Sequence, residues 1–245
     1  MSRSELILKL VKKNYQEIAA QFHLSRQRPL WPPLQKLVSQ IENDSKILDV
    51  GCGNGRLINA FKNKKINYWG IDNCPQLLEL ARQQYPQAKF IEGDILALNK
   101  IPGLPSNFDY IFAVAVLHHL PDHELQLQAI EQLKNRLAPQ GKLIITVWNF
   151  WQNTKRLKLM IKTYLRSRQS RLRPASTPEP QNIWPQLNWK DILFAWKNSQ
   201  GREISWRYYY AFTKGDLKKL AKKSGLKIKQ LWRDKYNYYL ILKKN

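Results

Sequence analysis

The sequence predicts an α/β fold, a doubly wound parallel sheet with helices on its faces. Three observations carry that expectation. Between residues 46 and 148, short apolar runs alternate with stretches of helical period, as in strands joined by crossover helices. The first run, Ile47-Leu48 with Val50, breaks straight into Gly51, Gly53 and Gly55, three of the chain's ten glycines within five residues. Such clustering suits backbone that takes positive φ or lies against a ligand, as at the first corner of a nucleotide-binding sheet. Acids also recur at strand ends: Asp72 lies 23 positions after Asp49, and Asp94 closes the next strand.

In order along the chain, Glu5 to Phe22 places Leu8, Val11, Tyr15, Ile18 and Phe22 near one helical face. His23 to Pro33 is rich in proline and reads as an ordered turn, because Pro29 and Pro32 disfavour helix in the residues before them. Leu34 to Ile41 resumes as helix. After the first strand and its glycine turn, Arg56 to Phe61 reads as helix and Asn67 to Asp72 as the second strand. Pro75, well placed in a first turn, opens a helix to Gln84. Ala88 to Asp94 and Phe108 to Ala115 give the third and fourth strands. Glu124 to Leu137 is a helix, and Lys142 to Trp148 the fifth strand. Beyond Asn149 the alternation stops. Lys155 to Arg173 has the pattern of a basic amphipathic helix, with Leu157, Met160, Ile161 and Leu165 to one side, and Pro174 to Pro180 reads as a loop. Thr213 to Ser224 is a helix capped by Gly225, followed by strands over Leu226–Leu231 and Tyr236–Leu242.

At 245 residues and 43% hydrophobic content, one large domain over 1–245 is expected. Within it, 1–43 is a helical, substrate-side segment, 44–150 the ligand-binding core, 151–205 a basic aromatic insertion and 206–245 the final helix and strands. No apolar run is long enough for a membrane span, and the first residues lack the pattern of a signal peptide. Two cysteines, Cys52 and Cys74, exclude a disulfide framework and favour a reducing, cytoplasmic setting. Charge is the loudest signal: 41 Lys and Arg against 18 Asp and Glu, a net +23. Between Gln152 and Pro178 eight residues are basic and none is acidic, while six of the nine tryptophans fall between Trp148 and Trp206. A polyanionic partner follows, nucleic acid before an anionic membrane surface.

A glycine turn alone fits several nucleotide cofactors. Here the spacing Gly-x-Gly-x-Gly lacks the third glycine position of the dinucleotide fingerprint. Together with Asp49, Asp72 and Gly93-Asp94-Ile95, the turn resembles that of class I S-adenosylmethionine-dependent methyltransferases, over about Ile47 to Val147. The resemblance implies a seven-stranded Rossmann-like sheet of order 3-2-1-4-5-7-6 with the seventh strand antiparallel. It also implies S-adenosylmethionine as cofactor, held by Asp49, Gly51, Gly53, Asp72, Asp94, Ile95 and Ala115.

A narrower resemblance, to the tRNA uridine carboxymethyl methyltransferases, rests on pieces spread over nearly the whole chain. They are Tyr15-Gln-Glu-Ile-Ala19 with Phe22, Ser25-Arg26, Pro29-Leu-Trp-Pro32, Ala115-Val-Leu-His-His-Leu120, Val147-Trp-Asn149, Asp191-Ile-Leu-Phe-Ala-Trp196 and Arg207-Tyr-Tyr-Tyr-Ala-Phe212. Leu30 and Tyr210 depart from that pattern on the substrate side. The family esterifies a carboxymethyl group on a wobble uridine, and its eukaryotic members work with a small zinc-binding activator protein. Motif position makes Arg26, His119, Asn149 and Arg207 the candidates for orienting the acceptor. Trp31, His118, Trp148 and Tyr208 are candidates for binding the base, and Lys155, Arg156, Arg166 and Arg168 for binding tRNA phosphates. Two rivals stand beside this reading: a methyltransferase of a small carboxylate or other metabolite, and an RNA-binding protein of the same fold without turnover. His118, His119, Asp122 and His123 are a poor metal set, because Pro121 interrupts the helical spacing and no cysteine assists.

Overall fold

The structure, a computed structural model, describes residues 1–152, 154–170, 183–198 and 200–244. In chain order its elements are α1 (Arg3–Ser25), α2 (Pro32–Ser39), β1 (Lys46–Val50), β2 (Asn67–Asp72), α3 (Pro75–Gln84), β3 (Lys89–Glu92), β4 (Phe108–Val114), α4 (His123–Arg136) and β5 (Leu137–Trp148). Then come α5 (Thr154–Ser170), β6 (Asp191–Lys197), β7 (Glu203–Tyr210), α6 (Lys214–Ser224), β8 (Lys227–Arg233) and β9 (Asn237–Lys243). Seven strands form one sheet in the order β3-β2-β1-β4-β5-β9-β8, with β9 antiparallel to β5. This is the order and the antiparallel strand that the resemblance implied.

Helices cover both faces, which is why β1, β4 and β5 are near-continuous apolar runs rather than alternating ones. One face packs Leu48, Ile111, Ile145 and Leu240 against Ile130 and Leu133 of α4 and Leu217 and Leu220 of α6. The other packs Ile47, Phe112 and Ile144 with Leu34 and Val38 of α2. Each such side chain, fully buried, contributes roughly 1.5–3 kcal/mol.

Four elements differ from the sequence expectation. Arg56–Phe61 is 3-10 rather than α-helical. β5 starts at Leu137, five residues before Lys142, because Leu137 pairs with Phe108 across an irregularity before Lys142 pairs with Tyr110. On α5 the buried side chains are Met160, Thr163 and Ser167, a face set by i, i+3, i+7 spacing, whereas Ile161 and Leu165 are exposed. Thr163 fits the interior because its hydroxyl both donates to the Leu193 carbonyl (3.1 Å) and accepts from the Leu193 N–H (3.2 Å). The end of that helix toward Arg173 and the loop Pro174–Pro180 lie outside the described residues. Lastly, β6 and β7 pair as a separate antiparallel hairpin, so a boundary at 205/206 would cut through β7.

α1 binds that hairpin to the main sheet. Asn14 Nδ2 donates to Ser205 Oγ (2.7 Å), Ser205 Oγ donates to Glu17 (2.5 Å), and Trp196 Nε1 donates to Gln21 (2.9 Å). At its start Arg3 pairs with the fully buried Asp191, which also accepts from Tyr208 Oη (2.5 Å) and the Asn188 N–H (2.6 Å). Farther along, Ala19 meets Cys74 and Leu77 beside α3. The helix thus lies over the C-terminal ends of the strands, where open α/β sheets bind ligands. No helix among the described residues is long and apolar enough to cross a membrane.

Asp191→Ala leaves a buried tyrosine hydroxyl and a largely buried guanidinium with only the long contacts to the Pro121 carbonyl. It is expected to cost about 3 kcal/mol, read as a lowered denaturation midpoint at unchanged denaturant slope. An unchanged midpoint would show that the Arg3–Asp191–Tyr208 cluster contributes nothing to stability.

Candidate active site

Beneath α1 a cavity of about 740 Å³ runs from the ends of β1–β4 to the β8–β9 turn. That is within the range of small-molecule sites and leaves room beside a nucleoside cofactor. Its first wall is the glycine turn. The N–H groups of Gly51 and Cys52 donate to the Ile71 carbonyl (2.7 and 3.0 Å), folding the chain back over β2. Gly51 and Gly53 sit at φ of 73° and 55°. A Cβ on Gly51 would come within 2.3 Å of Val116, while one on Gly53 would meet nothing nearer than 3.5 Å, because Gly53 faces the cavity.

Asp72 holds the turn. Its carboxylate accepts from the N–H groups of Gly53 (2.8 Å) and Cys74 (2.9 Å), so one side chain fixes both the turn and the start of α3. Asp49 is 2% exposed and accepts from Tyr68 Oη (2.7 Å). Burial pushes its carboxyl up to about 7, against the pull of the tyrosine hydrogen bond. Burial likewise raises Asp72 to about 6, although its backbone donors favour the ionised form. Asp94 caps the turn after β3 by accepting from the Leu96 N–H (2.8 Å). Ala115 takes a left-handed φ of 60° at the end of β4, held by the carbonyl and hydroxyl of Thr146.

The farther part of the cavity is aromatic and basic. His119 Nδ1 lies 3.0 Å from the Tyr208 carbonyl, which can only accept, so Nδ1 carries the proton. Nε2 then accepts from Tyr15 Oη at 2.9 Å. Burial lowers His119 to about 4 and lowers His118 as well, with the charges of His119 and Arg156 adding to it; His118 Nδ1 accepts from the Trp148 N–H (3.1 Å). Both imidazoles are therefore neutral at physiological pH. Trp148, Tyr209 and Phe194 form a column of stacked rings, with centroids 4.5 and 5.6 Å apart, and Arg156 covers the outer face of Trp148 at 4.2 Å.

Two more guanidinium groups lie close by. Arg26 stacks on Phe22 (4.6 Å) and lines the cavity. Arg207, 4% exposed, lies 3.6 Å over Trp196 and reaches Tyr209 Oη (3.4 Å), while its Nε and Nη2 make no hydrogen bond among the described residues. Neither arginine has a carboxylate within ion-pair distance among those residues. Burial, and repulsion by Arg207, lower the pKa of Arg26.

The structure thus gathers Asp49, Gly51, Gly53, Asp72, Asp94, Ile95, Ala115, Arg26, Trp31, His118, His119, Trp148 and Arg156 around one cavity. Other sequence candidates lie outside its wall. Tyr208 is fully buried on the opposite side of β7, bound to Asp191, because strand alternation sends it away from Arg207 and Tyr209. Asn149 spends its amide on the Asp234 carbonyl and Gln152, and its oxygen on the N–H groups of Trp151 and Gln152. Arg207 stands just behind Tyr15 and Tyr209. Lys155 and Arg168 are on the outer surface, and Arg166 lies over Trp184 (4.7 Å) and near Trp206 (5.6 Å), two indoles that meet edge to face. Sequence reasoning passed over Tyr15 and Tyr209 as site residues. A strand drawn through Arg207 would have put Tyr209 on the same face.

Residues 47–141 match the family model described as a methyltransferase domain. A Schizosaccharomyces pombe protein named tRNA (carboxymethyluridine(34)-5-O)-methyltransferase is 27% identical over 96% of each chain. A Xenopus tropicalis protein of the same activity name is 24% identical over all of this chain, which spans 42% of that longer protein. Among solved structures, a Methanosarcina mazei S-adenosylmethionine-dependent methyltransferase superposes with a TM-score of 0.66 at 17% identity, covering 89% of this chain and 99% of that one. A Haloferax volcanii methyltransferase in complex with a methyltransferase activator superposes with a TM-score of 0.58 at 12% identity, over 95% and 96%. The chain is an S-adenosylmethionine-dependent methyltransferase of the class I fold.

The site fits that cofactor: among the described residues Asp49 and Asp72 are enclosed carboxylates in no ion pair, beside a glycine that leaves the cavity open. We propose that Asp49 favours its ammonium, Asp72 its ribose hydroxyls and Asp94 its adenine amine. A raised carboxyl pKa means that protonation competes with a cationic ligand. Affinity for S-adenosylmethionine should therefore weaken by about tenfold as pH falls from 7.5 to 6, with protons released on binding near pH 6.5. Titration calorimetry in two buffers of different ionisation enthalpy measures both, and Asp49→Asn should flatten the response. A flat wild-type profile would remove Asp49 from that role.

Proposed function

We propose that this methyltransferase esterifies the carboxymethyl group of a wobble uridine in tRNA. The observation that carries the reading is the polarity of the cavity. Asp49, Asp72 and Asp94 line one end, whereas at the other Arg26 lines the wall and Arg207 stands behind it, beside neutral histidines and with no carboxylate within ion-pair distance among the described residues. A cationic donor and an anionic acceptor are thereby drawn to opposite ends of one site.

The cofactor supplies a methyl group made electrophilic by its sulfonium. Transfer to a carboxylate forms one C–O bond and breaks one C–S bond. The acceptor, with a pKa near 4, is already ionised, so no general base is required. The protein's task is then positioning. Arg26 orients the acceptor carboxylate, and Arg207 adds positive charge from behind the wall that Tyr15, fixed by His119, and Tyr209 form. The base rests against the ring edges of the Trp148–Tyr209 column, whose faces are already covered. The neutral tautomer of His119 leaves the carboxylate's reacting lone pair without a competing proton.

A net charge of +23 and the names of the fission yeast and frog relatives support RNA as the carrier of that carboxylate. The same reading places the protein in the cytoplasm and gives it a small activator protein as partner, on the likeness to the Haloferax volcanii complex.

Radiolabelled transfer to tRNA bearing carboxymethyluridine, followed by nucleoside analysis, tests the proposal. The label should be released by mild alkali, as an ester is, and the rate should fall steeply with salt. Arg26→Ala should lower kcat/KM by about thirtyfold or more, as expected for loss of a charged hydrogen bond, with affinity for S-adenosylmethionine unchanged. Alkali-stable label, or labelling only of free metabolites, would sink the assignment.

A further inference from the structure

The cavity reaches solvent at a mouth with two lips that are built alike. On one lip, the β8–β9 turn, Tyr236 presents a ring that is 53% exposed. Arg156 lies between that ring (6.0 Å) and Trp148 (4.2 Å), and donates to the carbonyls of Asn149 and Tyr236. On the other lip, Trp31 faces Arg56 at 5.8 Å, and Arg56 is held by the carbonyls of Arg28 (3.0 Å) and Pro29 (2.6 Å). Each lip is thus an aromatic ring paired with an arginine whose position is fixed by backbone carbonyls.

The Tyr236 lip is also rigid. Asp234 accepts from the N–H groups of Tyr236 (2.6 Å) and Asn237 (2.7 Å) through one oxygen, and from Tyr239 Oη (2.7 Å) through the other. That carboxylate is consumed in pinning the turn, and the groups left facing the mouth are a π face and a cation. An exposed tyrosine on a pinned turn loses little conformational entropy when a flat partner stacks on it.

We infer that Tyr236, with Arg156, is a stacking site for the nucleotide next to the one methylated, and that Trp31 with Arg56 faces the neighbour on the other side. The inference rests on the tRNA reading. A base recessed between Trp148 and Arg26 must leave the stack of its own strand, and its neighbours lose a stacking partner as it does. Aromatic faces at the mouth replace that partner, and the adjacent guanidinium groups meet the phosphates that flank the recessed nucleotide. Tyr236 therefore acts on the binding of RNA and leaves the methyl transfer itself alone.

The experiment uses the full chain and an anticodon stem–loop RNA carrying carboxymethyluridine, either intact or with an abasic residue at each neighbouring position in turn. Tyr236→Ala should lower kcat/KM on the intact loop by about tenfold, chiefly through KM, while Tyr236→Phe keeps the wild-type value. One of the two abasic loops should cost the wild-type protein a similar factor and cost Tyr236→Ala nothing further. Penalties that multiply, or an intact loop indifferent to Tyr236→Ala, overturn the stacking site while the tRNA reading stands. Failure of the wild-type protein to methylate any RNA refutes the tRNA reading and the inference together.

Discussion

The site depends first on one carboxylate, that of Asp72. By accepting from Gly53 and Cys74 it joins the end of β2 to the turn after β1 and to the first turn of α3. The two backbone donors stabilise its charge, yet burial outweighs them and lifts its pKa. Such an acid is a structural brace that retains an unmet demand for hydrogen-bond donors. Its chemistry explains why a turn with glycines at positive φ is held in one geometry rather than left loose.

From that brace outward, the cavity is ordered by charge. The strand ends supply acids, and the elements laid across them supply cations. α1 and its C-cap bring Tyr15 and Arg26, the loop after β4 brings the two histidines, and β7 puts Arg207 behind Tyr15. Neutral histidines between the two zones matter here. Protonated, they would add positive charge beside three arginines in a buried space, and the desolvation that lowers His119 to about 4 prevents this.

The donor side was legible because its residues lie close in sequence, or at the ends of neighbouring strands whose period announces them. Gly51, Gly53, Asp49 and Asp72 could be placed from spacing alone. The acceptor side is built from contacts across long separations. Tyr15 meets His119, and His119 meets the Tyr208 carbonyl, in no pattern that sequence spacing records. β6 and β7 went unread because their aromatic runs carry no clean alternation, and with them went the distinction between Tyr208, facing the core, and Tyr209, facing the site. The surroundings of Arg166 were not legible either: its guanidinium lies against two indoles from outside its helix, a contact that helical spacing does not record.

The hairpin and α5 also change what the basic composition means. In a protein of net charge +23, most arginines and lysines contribute only to a diffuse field. Arg26, Arg156 and Arg207 differ because aromatic rings hold their guanidinium groups at defined places, the first two on the cavity wall and Arg207 behind it. A guanidinium fixed by stacking keeps its N–H groups in the ring-parallel plane and loses less entropy on meeting an anion than a lysine swinging in solvent. Rings from three parts of the chain, Phe22, Trp148 and Trp196, therefore give these three arginines defined positions. Without Trp196 beneath it, Arg207 would be a buried charge with too few partners to persist, and the acceptor end of the site would lose its polarity.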